Sequence, residues 1–244
     1  MAVLLCTENL TRRFGGITAV RECTIEVREG SIAGLIGPNG SGKTTLFNLI
    51  TGLYQPDRGQ VYLNGQRITH MRPDQRCHRG LARTFQITCL FWNLTVLENM
   101  IVPIRQVGLR ALVGRGMYRH EEERALALLE RVGLAHLKDQ SAAKLSFGQQ
   151  KLLEFAAVLM SEPDLVLLDE PAGGVNPTMI RLMMDLIRSL NREGVTFLIV
   201  EHNMGMVMEL CHHILVLDQG EQIAEGPPSQ IQTNPAVLDA YLGN

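Results

Sequence analysis

From Cys23 to Gly37 the chain changes its pattern of apolar and polar positions. CTIEVREG alternates, Glu29-Gly30 marks a turn, and SIAGLIG runs on as an apolar stretch ending at Gly37. Alternation predicts a strand with one wet face, whereas a short unbroken apolar run predicts a strand covered on both faces. Two further runs of the second kind are LVLLDE (165–170) and VTFLIVEH (195–202), with ILVLDQG (214–220) as another strand. Asn64-Gly65 between VYL and QRI predicts a hairpin, because both residues tolerate the positive φ of a type I′ turn. Helices are expected between the strands. Leu152, Phe155, Ala156 and Leu159 repeat at helical spacing, as do Met179, Leu182, Met183 and Leu186, and Ala125, Leu128, Leu129 and Val132. Glu193-Gly194 ends the second of these and Gly133 the third; the acids of HEEER are placed in that third helix's first turn. No strand pattern interrupts residues 94–145, which read as a helical insertion into an α/β core, extending to about residue 160. The glycine- and arginine-rich stretch RQVGLRALVGRGMYRH within it reads as a mobile or partner-facing loop.

Composition narrows the class without choosing the function. The 244 residues suffice for one α/β domain carrying a small inserted subdomain, and 45% hydrophobic with 20% charged residues is ordinary for a globular chain. A net charge of −2 gives no support to non-specific nucleic-acid binding, and no nucleic-acid partner is expected. The five cysteines are scattered and lack C-x-x-C spacing, which predicts free thiols in a reducing compartment. MAVLLCTENLTRRF lacks the order of a signal peptide, and no apolar run approaches the ~18 residues of a membrane span, so membrane association is expected only through a partner.

Chemistry concentrates in a few short stretches. GPNGSGKTT (37–45) fits G-x-x-x-x-G-K-[ST], follows a predicted strand and opens a predicted helix. Glycines let successive backbone N–H groups approach phosphate, Lys43 adds a cation for the β- and γ-phosphates, and the Thr44 hydroxyl suits Mg²⁺. LVLLDE puts Asp169 and Glu170 where a parallel sheet borders its ligand crevice. Asp169 is expected to reach Mg²⁺ and Glu170 to polarise an attacking water. His202 follows the next buried strand and belongs at the same rim. Gln86 has metal or water within its chemistry but is featureless alone, and Phe14 reads either as core or as a ring stacked on adenine. A second anion-binding end is predicted at KLSFGQQKLLEF, where Ser146 caps a helix whose first turn holds Phe147, Gly148 and Gln149.

GPNGSGKTT, Gln86, LSFGQ, LVLLDE and His202, in that order, resemble the ATP-binding-cassette family along nearly the whole chain, with LSFGQ as its signature element. FGGITAV, FWNLTVLENM, EPAGGVNP and the ending IAEGPPSQIQTNPAVLDAYLG resemble the ATPase subunits of branched-chain amino-acid importers. The resemblance implies an α/β P-loop NTPase core with a mostly parallel sheet, an N-terminal antiparallel β-subdomain and an inserted helical subdomain, in one nucleotide-binding domain over 1–244. It implies ATP and Mg²⁺ as ligands, bound by Gly37, Pro38, Asn39, Gly40, Ser41, Gly42, Lys43, Thr44 and Thr45, with Asp169 and Gln86 toward the metal. Ser146, Gly148 and Gln149 would complete the site of a second copy, identical or sibling. Phe14 becomes the adenine platform, Gln86 the sensor touching the membrane partner, and Glu170, His202 and Gln86 the hydrolytic group. Permease subunits and, indirectly, a substrate-binding protein follow as partners, with the chain peripheral on the cytoplasmic face of the membrane. Branched-chain or other apolar amino acids are the expected cargo, with urea or short amides as the alternative; a soluble, non-transport cassette protein is a further reading. Phe147 stands where many members have glycine, Asn176 where aspartate is common, and Phe14 where tyrosine is commoner.

Overall fold

The computed structural model describes residues 2–84, 89–102 and 115–242. Chain order begins with β1 (Val3–Phe14), β2 (Ile17–Cys23), β3 (Glu26–Arg28), β4 (Ile32–Ile36), α1 (Lys43–Thr51), β5 (Arg58–Leu63), β6 (Gln66–Arg67), α2 (Pro73–Cys77) and β7 (Leu81–Arg83). Helices α3 (Val96–Ile101), α4 (Arg115–Arg131) and α5 (Phe147–Leu159) follow. Then come β8 (Leu165–Asp169), α6 (Pro177–Arg192), β9 (Thr196–Val200), α7 (Met204–Leu210), β10 (His213–Asp218), β11 (Glu221–Gly226), α8 (Pro228–Ile231) and α9 (Pro235–Leu242). One sheet is antiparallel, ordered β2-β1-β5-β6 with β3 also on β1; the other is ordered β11-β10-β4-β9-β8-β7 and is parallel except at β11.

The parallel sheet is covered on both faces, as its unbroken apolar strands require. Ile32, Ile36, Val166, Leu168, Phe197, Ile199, Ile214 and Val216 face the helical core with α3 to α7. Their alternates, Ala33, Leu35, Leu165, Leu167, Leu198, Val200, Leu215 and Leu217, face α1 and the antiparallel sheet. Gly34 lets α7 approach, since an added Cβ would lie 3.0 Å from Cys211 Sγ. Dry surroundings push the thiols of Cys23 and Cys211 up to about 12, and all five cysteines are free. Among the described residues no helix is long and apolar enough to cross a membrane.

The Asn64-Gly65 hairpin forms as expected, with both residues at positive φ and Leu63 opposite Gln66. β1, β2, β7 and β11 were not evident from pattern. β1 shifts register against each of its three partners, so its inward positions lose strict alternation. Between β7 and β8 the described residues hold only helices, 3-10 turns and one bridge, Thr95 to Ser141.

Three expectations change here. The loop expected over 105–120 lies partly outside the described residues, but 115–120 belong to α4, which therefore starts before the acids of HEEER and carries them beyond its first turn. Gly116 stands second in α4, in its first turn, and does not stop it. In α6 the buried stripe is Met183, Met184, Leu186, Ile187 and Leu190, while Leu182 is exposed, because the helix is rotated toward its Met184–Ile187 edge.

Arg76 of α2 is fully buried. Its guanidinium donates to the carbonyls of Leu49 and Ile50 at 2.7 and 2.6 Å, and to those of Thr69 and Met71 at 2.5 and 3.0 Å. Two of these belong to the last turn of α1, where a cation also meets the negative end of the helix. Burial nonetheless lowers its pKa to about 10. Arg76→Met is expected to cost about 3–5 kcal/mol, because four carbonyls lose a buried donor at once. An unfolding free energy from urea titration lowered by less than about 1 kcal/mol, at unchanged slope, would contradict this role.

Candidate functional site

Parallel strands end on one edge, and the loops leaving β4, β8 and β9 meet there. Gly37 leaves β4 with φ 150° and begins a turn closed by α1. Gly40 and Gly42 have φ of 79° and 102°, and Gly42 is the N-cap of α1 with no side-chain cap on the first N–H groups. A Cβ at Gly37 would fall on the Leu217 carbonyl oxygen, and one at Gly42 on that of Ala19. Nothing lies within 4 Å of a Cβ at Gly40, so that side of the loop is open. Glycine is thus dictated by packing at two positions and by backbone conformation at the third. Pro38 accepts from the Ser41 N–H, Asn39 is exposed, and Thr44 and Thr45 lie in the first turn of α1, the former exposed.

Lys43 is buried. Its Nζ donates to the carbonyls of Gly37 and Pro38, both at 2.8 Å, and lies 3.4 Å from Ser41 Oγ. Burial lowers its pKa, while the charges of Glu170 and Asp169 act in the opposite sense. The lysine and the two strand-end acids therefore share one electrostatic neighbourhood.

Asp169 ends β8 and is buried in an ion pair with Arg83 Nη2 at 2.7 Å. Arg83 also donates to Asn48 Oδ1 of α1 at 2.6 Å and packs over Phe47. Sequence reasoning passed over Arg83; an arginine closing the short apolar strand LAR was the available signal. Its bonds join α1 to the end of β8.

Glu170 adopts φ 48°, a left-handed conformation costing a non-glycine residue about 1–3 kcal/mol. Its N–H bonds to the Val200 carbonyl at 2.9 Å, and its own carbonyl accepts from Gly173 at 3.0 Å. The strain turns its side chain toward His202, whose Nε2 lies 3.1 Å from Glu170 Oε1. His202 is half exposed at the rim where the apolar run placed it.

Ser146 caps α5, accepting from the Gln149 N–H at 3.4 Å while Gln149 Oε1 accepts from the Ser146 N–H at 2.9 Å. A Cβ on Gly148 would lie 3.1 Å from Met179, and one on Gly174 would lie 3.0 Å from the Phe147 ring. The start of α5 therefore leans on the loop after β8 and on α6. Among the described residues no hydrogen bond or ion pair joins Ser146, Gly148 or Gln149 to the loop at 37–45. Asn176 caps α6 by accepting from the Met179 N–H at 2.9 Å, a structural task for the residue standing in place of aspartate.

Phe14 is 41% exposed at the end of β1, which removes the core reading for this ring. Tyr54 meets it edge-on at 5.4 Å between centroids, and the Arg12 guanidinium sits 4.9 Å from its centre. Gln86 lies outside the described residues. Among those described, no group of three or more His, Cys, Asp or Glu could hold a metal by itself. The oxygen set of Thr44 and Asp169 instead suits a hard divalent ion held partly by a phosphate ligand.

A glycine-lined loop between a parallel strand and a helix, with its lysine beside two strand-end carboxylates, defines a P-loop nucleotide-binding site. Residues 20–173 match the family model "ABC transporter", and 221–244 match "Branched-chain amino acid ATP-binding cassette transporter". The chain is 42% identical to the "Probable branched-chain amino acid transport ATP-binding protein LivG" of Archaeoglobus fulgidus, over 98% of this chain and 95% of that one. It superposes on a nucleotide-free ATP-binding cassette from an ABC transporter with a TM-score of 0.89 at 35% identity, covering both chains completely. A dimeric post-hydrolysis cassette bound to ADP and Pi gives 0.79 at 26% identity, over 92% of this chain and 99% of that one. The protein belongs to the ABC transporter family, as one of its ATP-binding-cassette ATPases.

Arg83→Met is expected to strand a buried carboxylate and cost about 3–5 kcal/mol in a denaturant titration. A double-mutant cycle with Asp169→Asn should recover part of that cost; strictly additive losses would mean that the pair carries no coupling.

Proposed function

We propose that this chain powers a membrane importer of branched-chain amino acids by hydrolysing ATP in a site shared between two copies. The observation that carries the reading is the meeting of Lys43, Asp169, Glu170 and His202 at one sheet edge. The family, and relatives whose names describe branched-chain amino acid transport, support the cargo.

The loop at 37–45 would take the phosphates on the open N–H groups of α1, with Lys43 exchanging its two carbonyl partners for phosphate oxygens. Phe14 would stack on the adenine. Thr44 and Asp169, with Gln86, are the residues that would hold Mg²⁺, which when bound offsets the charge of the phosphates. Arg83 holds Asp169 in place through their 2.7 Å ion pair. Glu170 accepts the proton of the attacking water, a general-base contribution of about 10²–10⁴ in rate, and His202 steadies both Glu170 and the terminal phosphate.

Ser146 and Gln149 close the capping box at the start of α5 and leave the first-turn N–H groups of Phe147 and Gly148 to face outward, and we assign the phosphate met by Ser146, Gly148 and Gln149 to the partner copy's site. Two-fold symmetry makes the arrangement reciprocal. The existence of a dimeric cassette with ADP and Pi among its structural relatives supports this pairing. Phe147 on Gly174 ties the outward-facing helix end to the loop after Glu170, so closure of the pair bears directly on the hydrolytic residues. Permease subunits would dock beside Gln86 and the helical insertion at about 94–160. A groove of about 290 Å³ beside the insertion is lined by Leu53, Leu81, Leu90, Phe91 and Val158. The chain would then be peripheral on the cytoplasmic face, with a substrate-binding protein acting through the permeases.

Glu170→Gln should bind ATP normally, accumulate a closed dimer on gel filtration and lose hydrolysis; unchanged steady-state turnover would remove the residue from this role. Lys43→Ala should lose nucleotide affinity in an equilibrium titration, and normal affinity there would defeat the whole assignment. In cells, Glu170→Gln should abolish uptake of labelled leucine. Loss of urea uptake with leucine uptake intact would transfer the cargo to urea.

A further inference from the structure

Just beyond the last rung between β8 and β9 lies a carboxylate that the reading above leaves without a task. Glu201 is 3% exposed. Its Oε1 accepts the Ala172 N–H at 2.5 Å, and its Oε2 accepts the N–H groups of His202 and Asn203 at 2.9 and 3.0 Å. Among the described residues no cation forms an ion pair with it. Three backbone amide donors converge on this buried side chain and occupy both of its oxygens.

The position of those donors is informative. The backbone ladder joins Asp169 to Val200 in register, and the Glu170 N–H makes the final bond, to the Val200 carbonyl. Past that point Pro171 has no N–H to give. The Glu201 side chain takes over as a further crosslink between the strand ends, from the residue before His202 to the second residue after Glu170. The strained turn at Glu170 is thereby held from both sides, by bonds from Glu201 to backbone N–H groups flanking the Glu170–His202 pair.

We infer that Glu201 is a positioning residue for hydrolysis, setting the distance between Glu170 and His202; the inference rests on the proposed roles of those two residues. A glutamine at 201 offers one acceptor oxygen and turns an NH₂ group toward an N–H donor, so one arm of the crosslink is lost. An aspartate keeps the charge but is a methylene too short to reach both loops. Neither change touches the loop at 37–45.

The test uses the full-length chain with Mg²⁺-ATP, measuring kcat, ATP affinity with magnesium withheld, and thermal midpoint for Glu201→Gln, Glu170→Gln and the double variant. Glu201→Gln should lower kcat about 10–100-fold, as expected of a misplaced catalytic pair, with ATP affinity within about twofold of wild type. In the Glu170→Gln background it should cause no further loss, because the pair it positions is already broken. If Glu201→Gln does not fold, Glu201→Asp is read in the same way. A kcat near wild type overturns the inference, as do equal losses of kcat and affinity or an additive double variant. Unchanged hydrolysis in Glu170→Gln alone would instead remove the reading beneath it.

Discussion

The parallel sheet cannot be wet on either face, and much of this molecule follows from that constraint. Five-residue strands with no polar side chain at their centres must be covered by helices on one side, and by α1 with the antiparallel sheet on the other. Covering both faces leaves only the strand ends for polar groups. β4, β8 and β9 are parallel neighbours, so their carboxyl ends share one edge, and Gly37, Asp169 and Glu201 emerge within reach of one another. Chemistry at this edge is a consequence of burial elsewhere.

Polar groups at that edge are paired with one another and with the backbone. Arg83 clamps Asp169 and α1 together, and Glu170 accepts backbone strain to face His202. A buried ion pair is weak support for stability, since desolvation offsets much of its attraction. Its value here lies in geometry: Asn48, Phe47 and Asp169 fix a guanidinium that in turn fixes a carboxylate beside Lys43. Precision of this kind, bought with strain and desolvation, is expected where a substrate must be positioned.

Much of this architecture was legible in the chain itself. The apolar runs at 165–170 and 195–202 located two of the central strands, Asn64-Gly65 located its hairpin, and Ser146 and Gly194 marked helix ends as they should. The phosphate loop was readable because three glycines answer local demands, each visible as a residue type. What escaped depended on partners distant in sequence. β1 bulges against three strands, which blurs its alternation. Leu182 sits at helical spacing but on the wet side of α6, since only packing sets the rotation of a helix. Arg83, Arg76 and Glu201 looked like ordinary charged residues; their burial depends on contacts with residues up to 86 positions away.

Arg76 has one more implication. Its guanidinium joins the end of α1, which belongs to the nucleotide loop, to Thr69 and Met71, which follow the antiparallel hairpin. The two sheets are therefore not separable modules, although the chain visits them in turn. A fragment cut between residues 52 and 69 would leave its two halves with complementary unsatisfied groups, carbonyls on one and a buried cation on the other. Proteases nicking the exposed turn at Asn64-Gly65 should leave a complex that still holds together, and circular permutants opened at that turn are the ones this clamp would tolerate.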